Sequence, residues 1–96
     1  MSELNDVPVK VIVKMEKDSN TGEMTPILFF PDQFDGTNMD CWSQCGEHSH
    51  ASYAYYRNRC KKVKGFQEVE ACRALNLYEK AYKCKLRRVE KLGKIY

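Results

Sequence analysis

The segment richest in chemically active side chains is residues 41–57. It holds two cysteines, two histidines, three serines and three tyrosines. These residue types suit zinc coordination by thiolate and imidazole, anion binding by hydroxyl and backbone N–H groups, or stacking on aromatic rings. The sequence therefore predicts that the working site lies here, at a turn and helix start formed by residues 46–57.

Zinc coordination is the first chemistry to consider, because Cys41, Cys45, His48 and His50 fall within ten residues. In a straight strand, Cys41 and Cys45 would lie about 13 Å apart at ~3.3 Å per residue. Two ligands of one zinc ion must lie within roughly 4 Å of each other. We therefore predict no metal and no cofactor. A zinc-stabilised structural protein that uses these four residues is kept as an alternative.

Anion binding fits the same segment better. A helix start exposes unpaired backbone N–H groups and the positive end of the helix dipole. Ser49 has the residue type of an N-cap, with Ser52 beside it and Arg57 further along. The predicted ligand-binding residues are His48, Ser49, Ser52, Tyr56 and Arg57. The alternative is that Ser49 only caps the helix, while His48 serves the turn and the tyrosine lies at the core edge.

Catalysis has weaker support. Cys45 and His48 could form a dyad, but no third group or oxyanion-stabilising arrangement accompanies them. The chain also lacks a phosphate-binding or dinucleotide glycine pattern and an obvious pair of catalytic carboxylates. We predict that the protein is not an enzyme.

Charge is distributed unevenly along the chain. Residues 1–56 carry three Lys against nine Asp or Glu, a net −6, and residues 57–96 carry thirteen Lys or Arg against four Glu, a net +9. This basic half makes nucleic acid a possible partner. The predicted contact residues are Lys83, Lys85, Arg87 and Arg88. The alternative is that the two halves neutralise each other within one domain.

Hydrophobic periodicity predicts the elements that would position these residues. Apolar residues alternate over residues 7–15, which indicates a strand, and a turn at 17–23 leads to a second strand at 26–30. A third strand is expected at 39–45. Helical spacing follows from residue 51 to about 62 and from 66 to 77, and alternation returns over 82–87.

The order strand, strand, strand, helix, helix, strand predicts an α+β fold. Its simplest form is an antiparallel sheet of about four strands with both helices packed on one face. Ninety-six residues fit one domain spanning 1–96, with an ordered core of about 7–90. The five cysteines are odd in number and sit within apolar patterns, so buried free thiols are expected. No apolar run reaches the ~18 residues that would cross a bilayer, and the first residues are acidic, so we expect a cytoplasmic protein without membrane contact.

One motif gives a resemblance. The turn Gly46-Glu47-His48-Ser49, after Cys41-Trp42 and before Tyr55-Tyr56-Arg57, resembles small Gly-[Gln/Glu]-His-Ser motif proteins of gut anaerobic bacteria, their phages and mobile elements. The likeness covers about residues 9–90. It departs from the group at Cys45, where an aliphatic residue is usual, and at 61–70, where a Pro-rich helix start is absent. The resemblance implies a setting in mobile-element biology but no activity.

These observations together predict a non-enzymatic binding module. It would hold an anionic small molecule or a host protein partner at the helix start around His48 and Ser49. A phage-encoded member of such a group would block a host factor. Nucleic-acid binding by the basic half is the alternative from a different class.

Overall fold

The computed structural model describes residues 8–17, 20–43 and 48–90. This part of the chain forms an α+β structure, which confirms the predicted class. Along the described residues the elements are β1 (Val9–Lys17), β2 (Met24–Phe29), β3 (Asn38–Ser43), β4 (His48–Ser52), α1 (Tyr53–Asn58), β5 (Cys60–Lys62), α2 (Glu68–Tyr82) and β6 (Leu86–Arg88).

The predicted hairpin of the first two strands is confirmed. β1 and β2 pair antiparallel, from Ile12 against Phe29 to Lys17 against Met24. Gly22, in the turn between them, has a φ of +77°, a conformation that glycine adopts without steric cost. The third predicted strand is also present as β3, although Cys45, at its predicted end, lies outside the described residues.

The sheet is mixed and larger than predicted. Its order is β4-β3-β2-β1-β5, and β6 pairs with β1 as well. β5 runs antiparallel beside residues 14–16 of β1, whereas β6 runs parallel beside residues 9–11. The two short strands thus share one edge of β1. The prediction of about four antiparallel strands missed β4, β5 and the parallel pairing of β6.

The predicted helix start at Ser49 is wrong, because residues His48–Ser52 form strand β4. This strand pairs antiparallel with β3 over five residue pairs, from Asn38 against Ser52 to Trp42 against His48. The helix begins three residues later, where the Oγ of Ser52 accepts a hydrogen bond from the backbone N–H of Tyr55 at 3.1 Å. Hydrogen bonds between β3 and β4 pair the backbone N–H and C=O groups of this segment, so no helix cap at Ser49 is needed.

The predicted ends of both helices are corrected too. α1 stops at Asn58, because the next residues pair with β1 as β5 instead of continuing the helix to about 62. α2 continues to Tyr82, through the start of the predicted final strand, and ends where Lys83 takes a left-handed φ of 51°. The closing strand that remains is only Leu86–Arg88.

The helices cover opposite faces of the sheet, so the prediction that both pack on one face is wrong. Alternation along β1 sends Val11 and Val13 to the face covered by α2, and Ile12 to the face covered by α1. The α1-face core consists of Ile12, Ile27, Phe29, Phe34, Met39, Cys41, Ala51, Tyr56 and Cys60. The α2-face core consists of Val11, Val13, Leu28, Phe30, Trp42, Ala71, Ala74 and Tyr78. No helix in the described residues is long and apolar enough to span a membrane.

The N-cap assignment gives a direct test. We expect Ser52→Ala to lower the free energy of unfolding by about 1 kcal/mol, the usual cost of losing a serine cap. Ser49→Ala should cost less, because its exposed hydroxyl has a weak 3.2 Å contact with the Cys41 thiol and caps no helix. Urea denaturation of the two variants makes the comparison. A larger loss in Ser49→Ala would contradict the position of the helix start.

Candidate functional site

The structure divides the predicted ligand-binding residues between the two faces of the sheet. Ser49 and Ser52 lie near each other beside α1, but His48 points to the α2 face. Tyr56 is buried in the α1-face core, with its ring 4.9 Å from that of Phe29. Arg57 is exposed in the last turn of α1. Only the two serines come together as expected.

A cleft of about 430 Å³ opens beside these serines. We call it the hydroxyl cleft, and its polar lining consists of Glu16, Cys41, Ser43, Ser49, His50, Ser52 and Tyr55, with His50 paired to Asp40. Burial and a hydrogen bond with Glu16 raise the pKa of Tyr55, so its phenol stays protonated. The carboxylate of Glu16 repels an anion, and a six-residue helix contributes only a small dipole. The cleft therefore suits a neutral polar or cationic group better than the predicted anion.

His48 is part of an aromatic cluster against α2. Its ring stacks on Phe30 at 5.9 Å and meets Tyr78 and Tyr82 edge-on at 5.8 and 5.3 Å. The Tyr78 hydroxyl lies 3.4 Å from His48 Nε2. This histidine packs against α2 and does not face Ser49.

The four residues of the zinc alternative are not brought together where the structure describes them. Cys41 faces Ser49, His48 packs on the opposite face, and His50 Nδ1 lies 2.6 Å from Asp40 Oδ1. Burial raises the pKa of the Cys41 thiol. Within residues 8–17, 20–43 and 48–90 no cluster of three or more potential ligands occurs. Cys45 lies outside those ranges.

A second site lies where β5 and β6 flank β1. We call it the basic edge, and it comprises Lys10, Lys14, Lys62, Lys85, Arg87 and Arg88. Two like-charge pairs stand directly opposite in the strand register, Lys14 against Lys62 and Lys10 against Arg87. Directly opposed like charges destabilise a sheet. The fold therefore concentrates positive charge here at a cost to its own stability.

Lys14 is held against Tyr56 on this edge. Its Nζ lies 4.1 Å from the centre of the Tyr56 ring and donates a hydrogen bond of 3.5 Å to the Tyr56 carbonyl oxygen. Partial burial lowers the pKa of Lys14, and the neighbouring charges of Lys62 and Lys61 lower it further, although Cys60 opposes this effect. An anion bound here would replace repulsion between Lys14 and Lys62 with attraction to both.

The acidic residues do little to neutralise the basic edge. The ion pairs between described residues are Asp40 with His50, Glu70 with Arg73 and Glu68 with Arg88. Of these, only the last reaches the basic edge, where Arg88 makes two hydrogen bonds of 2.7 and 3.2 Å to Glu68. Each of the three pairs joins residues of the same half of the chain, so no ion pair between described residues neutralises one half with the other.

The residues predicted for nucleic acid fall partly on this edge. Lys85 and Arg87 are exposed on it, Arg88 is paired with Glu68, and Lys83 is the exposed residue that ends α2. The sequence does not single out Lys10 and Lys14 as site residues, because they are only polar residues between the alternating apolar ones of the first strand. The alternation of the first strand places Lys10 and Lys14 on the same face. The residues opposite them, Arg87 and Lys62, depend on the register of the sheet.

Comparison of the chain with protein-family models, curated proteins and solved structures gave no match.

Proposed function

We propose that this chain is a small, non-enzymatic binding protein that holds nucleic acid on the basic edge. The observation that carries the proposal is the register that sets Lys14 against Lys62 and Lys10 against Arg87. Such an arrangement costs stability in the free protein and is relieved by a polyanion. Backbone phosphates are the polyanion that lysine and arginine neutralise in nucleic-acid complexes.

The edge also has a place for an individual phosphate. Between β5 and β6 a notch of about 120 Å³ has three cations, Lys14, Lys62 and Arg88, and two carboxylates, Glu68 and Glu90, in its lining. Glu68 holds Arg88, which leaves Lys14 and its register neighbour Lys62 as the cations of the notch without an ion pair among the described residues. A phosphate oxygen that accepts hydrogen bonds from both lysines would offset their repulsion. Phosphates further along the backbone would meet Lys10, Lys85 and Arg87.

The hydroxyl cleft is a second candidate binding site, because two of the predicted ligand-binding residues, Ser49 and Ser52, line it. With Glu16 and the protonated Tyr55 in the same cleft, its ligand would be a small polar molecule without negative charge. A role in phage or mobile-element biology, including the blocking of a host factor, stays a prediction that depends on the resemblance.

Salt dependence and charge reversal test nucleic-acid binding. We expect fluorescence anisotropy with labelled oligonucleotides to show that affinity falls as salt rises from about 50 to 200 mM. The logarithm of the binding constant should fall linearly with the logarithm of the salt concentration. The double variant Lys62→Glu with Arg87→Glu should lose at least about tenfold in affinity at low salt, and the slope should fall by about two for two lost phosphate contacts.

A matched control is available on the outer face of α2. Arg73→Glu with Lys80→Glu changes the net charge by the same amount at two exposed residues away from the basic edge. Its affinity should stay near that of the unmodified protein. Equal losses in both double variants would show that total charge alone drives binding, and no binding at low salt would exclude the proposed function.

A further inference from the structure

Phe66 is the most exposed of the large apolar side chains in the described residues. Its relative exposure is 79%, compared with 66% for Val69 and 45% for Leu77. A phenylalanine in a domain of this size normally contributes to the core, and this ring does not. The ring therefore has its surface free for a partner.

The turn that presents the ring is well ordered by hydrogen bonds. Phe66 lies in a 3₁₀ turn, Gly65–Gln67, where Gln67 Oε1 accepts from the Lys64 backbone N–H at 2.9 Å. The Gln67 backbone N–H in turn donates to the Lys64 carbonyl oxygen at 2.8 Å. Gln67 itself is only 8% exposed and anchors the turn in the protein. The backbone that carries the ring is therefore already fixed and need not be ordered on binding.

Both ends of this turn are attached to the basic edge. On one side, β5 ends at Lys62 and is paired with β1. On the other side, Glu68 makes the two hydrogen bonds to Arg88. Lys62, Glu68 and Arg88 all line the notch between β5 and β6. Phe66 thus lies in the five-residue segment between Lys62 and Glu68, two of the residues that line the notch proposed to hold a phosphate.

Other exposed apolar side chains do not offer the same surface. Val69 and Leu77 are aliphatic and have no ring on which a base could stack. Tyr82 is 45% exposed, but its ring already packs 4.4 Å from Tyr78 and 5.3 Å from His48. Within the described residues, a largely free aromatic face next to the basic edge is therefore found at Phe66.

We infer that the nucleic acid bound by the basic edge is single-stranded and that Phe66 stacks on one of its bases. This inference rests on the proposed function. An aromatic side chain beside a row of cations is the arrangement that binds single strands, because cations follow the phosphates while the ring takes an unpaired base. Bases in a duplex are already stacked on both sides, so a duplex would meet the lysines and arginines without using the ring.

The experiment compares Phe66→Ala and Phe66→Trp with the unmodified protein on three labelled probes: a single-stranded DNA 12-mer, an RNA 12-mer of the same sequence, and the matching DNA duplex. Phe66→Ala should weaken binding to single strands by about fivefold to 100-fold, the range found for loss of one stacked base. Its salt slope and its duplex affinity should not change. Phe66→Trp should bind single strands at least as tightly as the unmodified protein. The DNA and RNA arms show which sugar the site prefers.

Leu77→Ala is the control, because it removes an exposed apolar side chain from α2 outside the basic edge. Circular dichroism and urea midpoints of each variant verify that the fold is intact. The stacking inference is overturned if Phe66→Ala binds single strands as tightly as the unmodified protein while Lys62→Glu with Arg87→Glu loses binding. The proposed function would then still stand. Equal weakening on single strands and duplex also overturns it. If the unmodified protein binds no probe at low salt, the proposed function fails and the inference fails with it.

Discussion

Phe29→Ala is expected to lower the free energy of unfolding by about 3 to 5 kcal/mol. The Phe29 ring is fully buried in β2, at the centre of the α1-face core, and meets Tyr56 edge-on at 4.9 Å. Truncation removes this contact and leaves a cavity that the sheet, fixed by pairing on both sides of β2, cannot close. A domain with about 5 to 15 kcal/mol of total stability would then be close to its unfolding transition. Urea denaturation followed by circular dichroism measures the loss.

Phe66→Ala is the matched control for this prediction, because the chemical change is the same and only the environment differs. At 79% exposure, its loss should alter the free energy of unfolding by no more than about 0.5 kcal/mol. A cost for Phe29→Ala as small as that for Phe66→Ala would mean that the α1 face carries no packed core. The assignment of α1 and its core to one face of the sheet would then be wrong.

The contrast between β1 and β4 explains how far the sequence predicts this fold. β1 places Val9, Val11, Val13 and Met15 on alternate positions and is rich in β-branched residues, so its own residues specify an extended strand. β4 has the sequence HSHAS, which contains no β-branched or large apolar residue, and its serines resemble helix caps. It becomes a strand because β3 offers a ladder partner for each of its residues. That stabilisation is tertiary and leaves no local pattern.

The same distinction applies to the candidate site. The excess of positive charge in the second half is visible in the sequence, and it directs attention to Lys85 and Arg87, which the structure places on the basic edge. Which cations meet depends on the strand register, since Lys14 and Lys62 are 48 positions apart in the chain and only pairing of β1 with β5 brings them together. Helical spacing from residue 66 predicts that Phe66 lies on the apolar side of a helix. In the structure Phe66 is exposed instead, because it lies in the 3₁₀ turn that precedes α2. Composition predicts an anionic partner, whereas the strand register and the exposure of each side chain decide which residues could contact it.

Cysteine reactivity is expected to differ by at least about 100-fold between Cys72 and Cys60. Cys72 is exposed on α2, while Cys60 is 2% exposed in the α1-face core. Burial, reinforced by the nearby Glu16 carboxylate, raises the pKa of the Cys60 thiol from 9.0 to about 11. Because the thiolate is the reacting form, this change alone lowers the reactive fraction of Cys60 about 100-fold at pH 8, and exclusion of the reagent lowers the rate further. Iodoacetamide labelling with mass spectrometry of the resulting peptides gives the rate at each cysteine.

Labelling in 8 M urea separates the effect of the fold from that of local sequence, because Cys60 and Cys72 should then react at similar rates. Cys72→Ser supplies the second control and should remove the fast phase without altering the slow reaction of Cys60. Adding EDTA to the native protein tests the zinc alternative: protection of Cys41 that comes from burial does not respond to a chelator, whereas protection by a bound ion is lost when the ion is removed. Native Cys60 that reacts as fast as Cys72 would contradict its burial beneath α1. Release of Cys41 by EDTA would instead favour a zinc site completed by residues beyond those that the structure describes.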